Sequence, residues 1–190
     1  MVLSKNMQKL VAGSSTIRKL FEEGIELAKE VGAENVYDFS LGNPAAPVPE
    51  EVKKSIYDIL ENRNANFVHC YMPNAGYPEV REKVAANLNK KYNSSFTKDD
   101  IIMTVGAAGG INCVLRSLLE PEDEVLCFAP FFGEYNSYVM NFGGNLKVVP
   151  ADYETFQLNV EEADKYITER TKAVIINNPN NPSGVVYNKE

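Results

Sequence analysis

The sequence predicts an α/β fold, a largely parallel sheet with helices on both faces, and three observations carry that prediction. From residue 101 short apolar runs alternate with helical patterns: IIMTV, a helix to Leu119, EVLCF, a helix from about Phe132, LKVV, the helix VEEADKYI, and AVIIN. Val174, Ile175 and Ile176 form an apolar run without polar alternation, which suits a parallel strand covered on both faces. The runs also stop abruptly: Ala129-Pro130 follows EVLCF, and NNPNNPSG follows Ile176, where Pro179 and Pro182 lack the N–H that a ladder needs. Loops of this kind lie outside the carboxyl ends of strands, where open α/β sheets bind ligands. The cis form is accessible at Ala129-Pro130 and Asn181-Pro182.

Before residue 101 the chain reads as helical. Ser15 or Thr16 is placed to cap a helix reaching about Val31, with Ile17, Leu20, Phe21, Ile25 and Leu27 on one broad face. Val36 to Leu41 reads as a short extended segment leading into GNPAAPVP. Pro49 opens a second helix with Val52, Ile56, Ile59 and Leu60 at helical spacing, and Pro78 a third with Val80, Val84 and Leu88. Residues 1–48 stand outside the later alternation and are expected to form an arm or part of a second domain. Residues 49–190 are expected to belong to the sheet domain.

Composition narrows the function classes. With 44% hydrophobic residues and 10 tyrosines in 190 residues, the chain is globular rather than disordered. Its 19 basic and 26 acidic residues give 19 − 26 = −7, which argues against nucleic acid or an anionic membrane as a general partner. Any bound anion must then be held by a local device. No run reaches transmembrane length and the first residues carry no continuous apolar core, so a cytoplasmic protein is expected. Cys70, Cys113 and Cys127 are odd in number and join no histidine cluster, so no metal site is expected. Cys127 in a strand and Cys113 on a helix read as buried free thiols in a reducing compartment.

Three stretches carry candidate chemistry. In TVGAAGGINCVLRSLL, Gly106 to Gly110 join a predicted strand to a helix whose apolar stripe is Ile111, Val114, Leu115 and Leu118. Exposed N–H groups and the helix dipole could hold a phosphate there without a basic side chain, although tight helix packing explains the small residues equally well. The spacing matches neither the dinucleotide fingerprint nor the nucleotide P-loop, which argues against a dehydrogenase. In PEDEVLCFAPFFGEY, Phe131, Phe132 and Tyr135 stand at a strand end, as a wall for a planar ring or as core. His69, the single histidine, fits a packed or solvated ring better than a catalytic base.

Taken together these pieces are more specific than any one of them. YMPNAGYPEVREKVA, TVGAAGGI, PEDEVLCFAPFFGEY and NNPNNPSGVV occur in the order and approximate spacing of the class I/II aminotransferases, the fold-type I enzymes dependent on pyridoxal 5′-phosphate. The chain resembles that family over nearly its whole length. The resemblance implies that backbone amides at Gly106, Ala107 and Ala108 bind the cofactor phosphate. It implies that Phe132 stacks on the pyridine ring, in place of a tryptophan or tyrosine found in many relatives. Asn181 matches the asparagine that contacts the pyridine 3′-oxygen and lies near the substrate carboxylate, and Gly42, in LGNP, matches a glycine that meets this carboxylate through its backbone. Tyr71 matches a tyrosine that reaches across a homodimer to the partner's cofactor phosphate.

The aspartate that pairs with the pyridine nitrogen, the lysine that holds the cofactor covalently and the arginine that grips the substrate all follow the Asn-Pro loop in that family. No residue of this chain is therefore assigned a catalytic role, and the chain is expected to correspond to the first half of a transaminase, inactive alone. The implied reaction moves an amino group between an amino acid and a 2-oxo acid. A lyase or decarboxylase on the same scaffold is the enzymatic alternative. A non-catalytic ligand-binding or regulatory module is the other, though no basic helix-turn-helix segment supports a regulator.

Overall fold

The structure is a computed structural model that describes residues 2–12, 16–39, 42 and 46–188. Its sheet is built around β1 (Glu124–Phe128), flanked by β2 (Asn145–Val149) and β3 (Thr171–Ile175) in the order β2-β1-β3. Both pairings are parallel, with Glu124 opposite Asn145 on one side and Thr171 on the other, and a bulge between Glu124 and Val125 on the β3 side. All five β1 residues are buried. Val125 packs with Leu115, Leu119 and Val139, whereas Leu126 and Phe128 pack with Val149 and Ala163. Alternate residues of one strand thus seed two cores on opposite faces, as period-two geometry requires. Burying Val125 or Leu126 to this extent stabilises by about 1.5–3 kcal/mol each.

The chain divides into two compact units, residues 1–70 and 71–190. The first contains α1 (Lys5–Ala12), α2 (Thr16–Val31), α3 (Glu50–Asn62) and α4 (Ala65–Val68). Neither α1 nor α4 is anticipated by the sequence reading. Leu20, Ile25 and Leu27 of α2 are exposed, and no residue of α3 is buried. The cap expected at Ser15, and Ser40 and Leu41 of the extended segment, lie outside the described residues. Val36 to Phe39 form no strand. The boundary expected near residue 48 falls inside this first unit.

The second unit holds α5 (Pro78–Tyr92), α6 (Gly106–Leu118), α7 (Glu134–Met140), α8 (Val160–Ala163) and the sheet. α6 and α7 contribute to the Val125 core and α8 to the Leu126 core, so helices lie on both faces as expected. Pro78 starts α5, and Asn93, left-handed at φ 52°, ends it. The Arg81 guanidinium donates to the Lys98 carbonyl at 2.7 and 3.0 Å, fixing the turn that leads to residue 101.

Three expectations are corrected. IIMTV is not a strand. Its backbone bonds are Ile101 N–H to the Lys98 carbonyl, Met103 N–H to the Ala75 carbonyl and Gly106 N–H to the Thr104 carbonyl, and a strand requires a ladder, which no described neighbour supplies. β3 is not covered on both faces: Val174 is 48% and Ile176 58% exposed, because helices cover only the side facing Ala173 and Ile175. VEEADKYI gives a single helical turn, α8, followed by tight turns. Among the described residues no helix is long and apolar enough to cross a membrane.

Candidate functional site

β1 and β3 are adjacent and parallel, so the loops that leave their carboxyl ends, Ala129–Gly133 and Asn177–Gly184, lie side by side. In the second loop three of the four asparagines are used by the fold. Asn177 Oδ1 accepts from Asn181 N–H at 2.8 Å, and Asn178 Oδ1 accepts from Tyr187 N–H at 3.0 Å. Asn180 is 6% exposed, accepts from the Ser183 N–H and hydroxyl, and donates to the Pro130 carbonyl. The fourth, Asn181, is exposed, and nothing among the described residues hydrogen-bonds its side chain. The loop is closed by backbone bonds from Asn180 N–H to Val185 and from Gly184 N–H to Asn180, and both Asn-Pro bonds are cis. Asn181 is therefore a free amide on a fully specified backbone.

The aromatic residues divide in the same way. Phe131 and Tyr135 line a cleft with Cys127, Leu158, Ile175 and Asn177 whose free space is about 10 Å³, room for one water molecule. They are core. Phe132 is left outside, 37% exposed, with its ring set edge-on to Tyr135 at a centroid separation of 5.7 Å and 82°. Its flat surface is supported by packing yet open to a ligand. Ala129-Pro130 is cis.

The glycine turn resolves the choice between packing and anion binding position by position. A Cβ on Gly110 would come 3.2 Å from the Thr104 hydroxyl, so this glycine serves packing. Gly106 has open space beside it but φ +68°, a conformation that side chains rarely adopt. It begins α6; its own N–H donates to the Thr104 carbonyl at 3.0 Å, while those of Ala107 and Ala108, both exposed residues, have no intrahelical acceptor. α6 runs down to Leu118 before the chain returns through β1, which puts its N-terminus at the carboxyl end of the sheet with the two loops. A helix start with unengaged N–H groups at Ala107 and Ala108, a partly exposed aromatic ring and an unengaged amide at the carboxyl end of the sheet fit a planar ligand that carries a phosphate.

Charge around the loops is quiet. Burial pushes the Tyr135 hydroxyl up, and burial also raises Tyr187, with a hydrogen bond from Asn180 acting the other way. The Cys127 thiol is pushed up to about 12 by burial. None of the three exchanges a proton readily near neutral pH, so none serves there as an acid or base. Among the described residues no three His, Cys, Asp or Glu side chains come together to hold a metal.

Tyr71 is fully exposed in the second unit. Gly42 belongs to the first unit, with open space where a side chain would be. His69 is a solvated ring at the end of α4. Cys127 is buried as expected, whereas Cys113 lies on the outer face of α6 and is exposed, as is Cys70. The residue the sequence reading passes over is Asn180. Its signal is the Asn-x-x-Ser spacing to Ser183, a side chain placed to cap its own turn.

The sequence model of the family described as aminotransferase class I and II matches residues 33–190. A probable aspartate/prephenate aminotransferase of Aquifex aeolicus is 35% identical over 86% of this chain and 41% of its own length. An aromatic-amino-acid aminotransferase of Thermococcus litoralis is 37% identical over 100% of this chain and 46% of its own. Among solved structures, an amino transferase from Eubacterium rectale superposes with a TM-score of 0.93 at 40% identity, over 100% of this chain and 48% of that one. The chain spans about half the length of the relatives it matches.

Proposed function

The chain belongs to the class I and II aminotransferase family, and from that membership we propose that the protein it forms part of transfers an amino group between an amino acid and a 2-oxo acid with pyridoxal 5′-phosphate as cofactor. The observation that carries the reading is the unengaged Asn181 amide and the partly exposed Phe132 ring on two loops tied together at the carboxyl ends of β1 and β3. The aminotransferase names of the relatives favour transfer over the lyase or decarboxylase alternative.

The roles of this chain follow from the chemistry of its groups. The N–H groups of Ala107 and Ala108 would receive the phosphate, with that of Gly106 joining them once released from the Thr104 carbonyl, which would let a chain of net charge −7 hold an anion through backbone dipoles. Phe132 would stack on the pyridine ring and exclude water from that side. Asn181 would donate from its amide to the ring 3′-oxygen and stabilise negative charge there. Gly42 offers its backbone N–H to the substrate carboxylate. Tyr71, fully exposed, extends to the phosphate of the partner subunit in a homodimer. The cofactor supplies the electron sink at the substrate α-carbon. Residues 1–48 form the arm and part of a smaller domain, and three unpaired thiols suit a cytoplasmic location.

The test is amino transfer by the full-length protein between amino acids and 2-oxo acids, with a spectral pH titration of the bound cofactor. Turnover that requires pyridoxal 5′-phosphate is expected, and Asn181→Ala should move the titration to higher pH by removing a donor to the anionic oxygen. A protein that takes up no cofactor, or an unmoved titration, would overturn the assignment.

A further inference from the structure

Asn180 is the most buried polar side chain among the described residues, and its partners lie on two different loops. Its Nδ2 donates to the Pro130 carbonyl at 3.2 Å, while its Oδ1 accepts from the Ser183 N–H at 3.1 Å and the Ser183 hydroxyl at 2.7 Å. These partners fix the orientation of the amide, because the Pro130 carbonyl can only accept and the Ser183 N–H can only donate. The amide also meets the Tyr187 side chain. Its main chain is held as well, N–H to Val185 at 2.9 Å and carbonyl from Gly184 at 2.8 Å. The bond to Pro130 is the one hydrogen bond among the described residues that crosses from the Asn-Pro loop to the aromatic loop.

Two groups are carried by this arrangement. Asn181 is the next residue after Asn180, and Phe132 is two residues beyond Pro130. Moving either loop alone would leave a buried amide proton or carbonyl without a partner, a penalty that opposes independent motion. We propose that Asn180 is a positioning residue that locks the two loops together, so that the Phe132 ring and the Asn181 amide face a ligand as one rigid ledge. The proposal rests on the pyridoxal phosphate reading for the identity of that ligand.

Three variants of the full-length protein separate the halves of the latch. Asn180→Asp keeps the acceptor for Ser183 and loses the donor to Pro130; Ser183→Ala keeps the donor to Pro130 and the bond from its own N–H and loses only the hydroxyl bond; Asn180→Ala loses every side-chain bond. Hydrogen exchange without ligand reads the coupling directly. Asn180→Asp should speed exchange at the amides of Phe131 to Tyr135 while Ser183 stays protected, and Ser183→Ala should leave the aromatic loop as in the parent. Pyridoxal 5′-phosphate affinity should fall about tenfold in Asn180→Asp, the equivalent of roughly one lost hydrogen bond. In a Phe132→Ala background the same change should cost far less, because the ring it aims is gone. Unchanged exchange in the aromatic loop of Asn180→Asp, or equal losses of affinity in both backgrounds, would overturn the proposal. A parent protein that binds no pyridoxal 5′-phosphate would overturn the ligand assignment, and the exchange pattern would still decide the coupling.

Discussion

Gly76→Ala would test how the run 101–105 is delivered to the start of α6. Gly76 is buried at φ +94°, and a Cβ there would stand 2.5 Å from Met103 Cγ and 2.8 Å from Met103 Cβ. The outer part of the methionine can swing aside. Its Cβ cannot, because the backbone beneath it is pinned by Met103 N–H to the Ala75 carbonyl at 2.9 Å. The backbone conformation costs about 1–3 kcal/mol for a residue with a side chain. Overpacking adds about 1–3 kcal/mol, so a loss of about 2–6 kcal/mol is expected. Urea unfolding at constant m reads it. A second variant separates the two parts: Met103→Gly removes the atom that is struck, so adding Gly76→Ala to it should cost only the backbone share. A loss below about 1 kcal/mol for Gly76→Ala, or the same loss with and without the Met103 side chain, would refute the account.

Other outcomes follow from burial and charge. Leu126→Ala should cost about 2–5 kcal/mol in urea unfolding, while Val174→Ala, on the open face of β3, should cost under about 1 kcal/mol. Phe132→Ala should weaken pyridoxal 5′-phosphate binding by about 1 kcal/mol in a fluorescence titration and leave stability nearly unchanged. Glu124 is held below the usual glutamate range first by the Thr168 hydroxyl, at 2.6 Å, and then by Lys147, at 3.2 Å. Because the folded value is depressed, its stabilisation is present above the ordinary value of 4.5 and is lost as pH falls through the folded value. Melting temperatures of Glu124→Gln should therefore show a shallower acid limb than those of the parent; superimposable limbs would count against it.

The parts of this fold that were legible in the sequence are those decided locally. EVLCF is β1 to the residue, and Pro49 and Pro78 mark the starts of α3 and α5, because apolar runs and proline geometry act within a few residues. Pairing and burial are not local. IIMTV has the composition of a strand, but a strand is a property of two segments, and composition says nothing about the second. The exposure of Val174 and Ile176 depends on which helices cover which face of β3. At the site, the sequence marks the Asn-Pro loop and the aromatic pair as important, and the family resemblance points to Asn181 and Phe132. The division of labour between Asn180 and Asn181, or between Phe131 and Phe132, rests on which neighbour turns inward, and adjacent residues of like chemistry do not reveal that.

The buried thiol of β1 has a practical consequence. Cys127 is 1% exposed and its ionisation is pushed up to about 12, whereas Cys70 and Cys113 are exposed. Only a thiolate attacks an alkylating reagent at a useful rate. Two of the three sulfurs should consequently be consumed at once, and the third only when the central strand is prised open. The rate of that third modification, read by mass spectrometry, is a clock for sheet opening in the unmodified sequence. It requires no engineered label, and the two fast sulfurs provide the internal calibration.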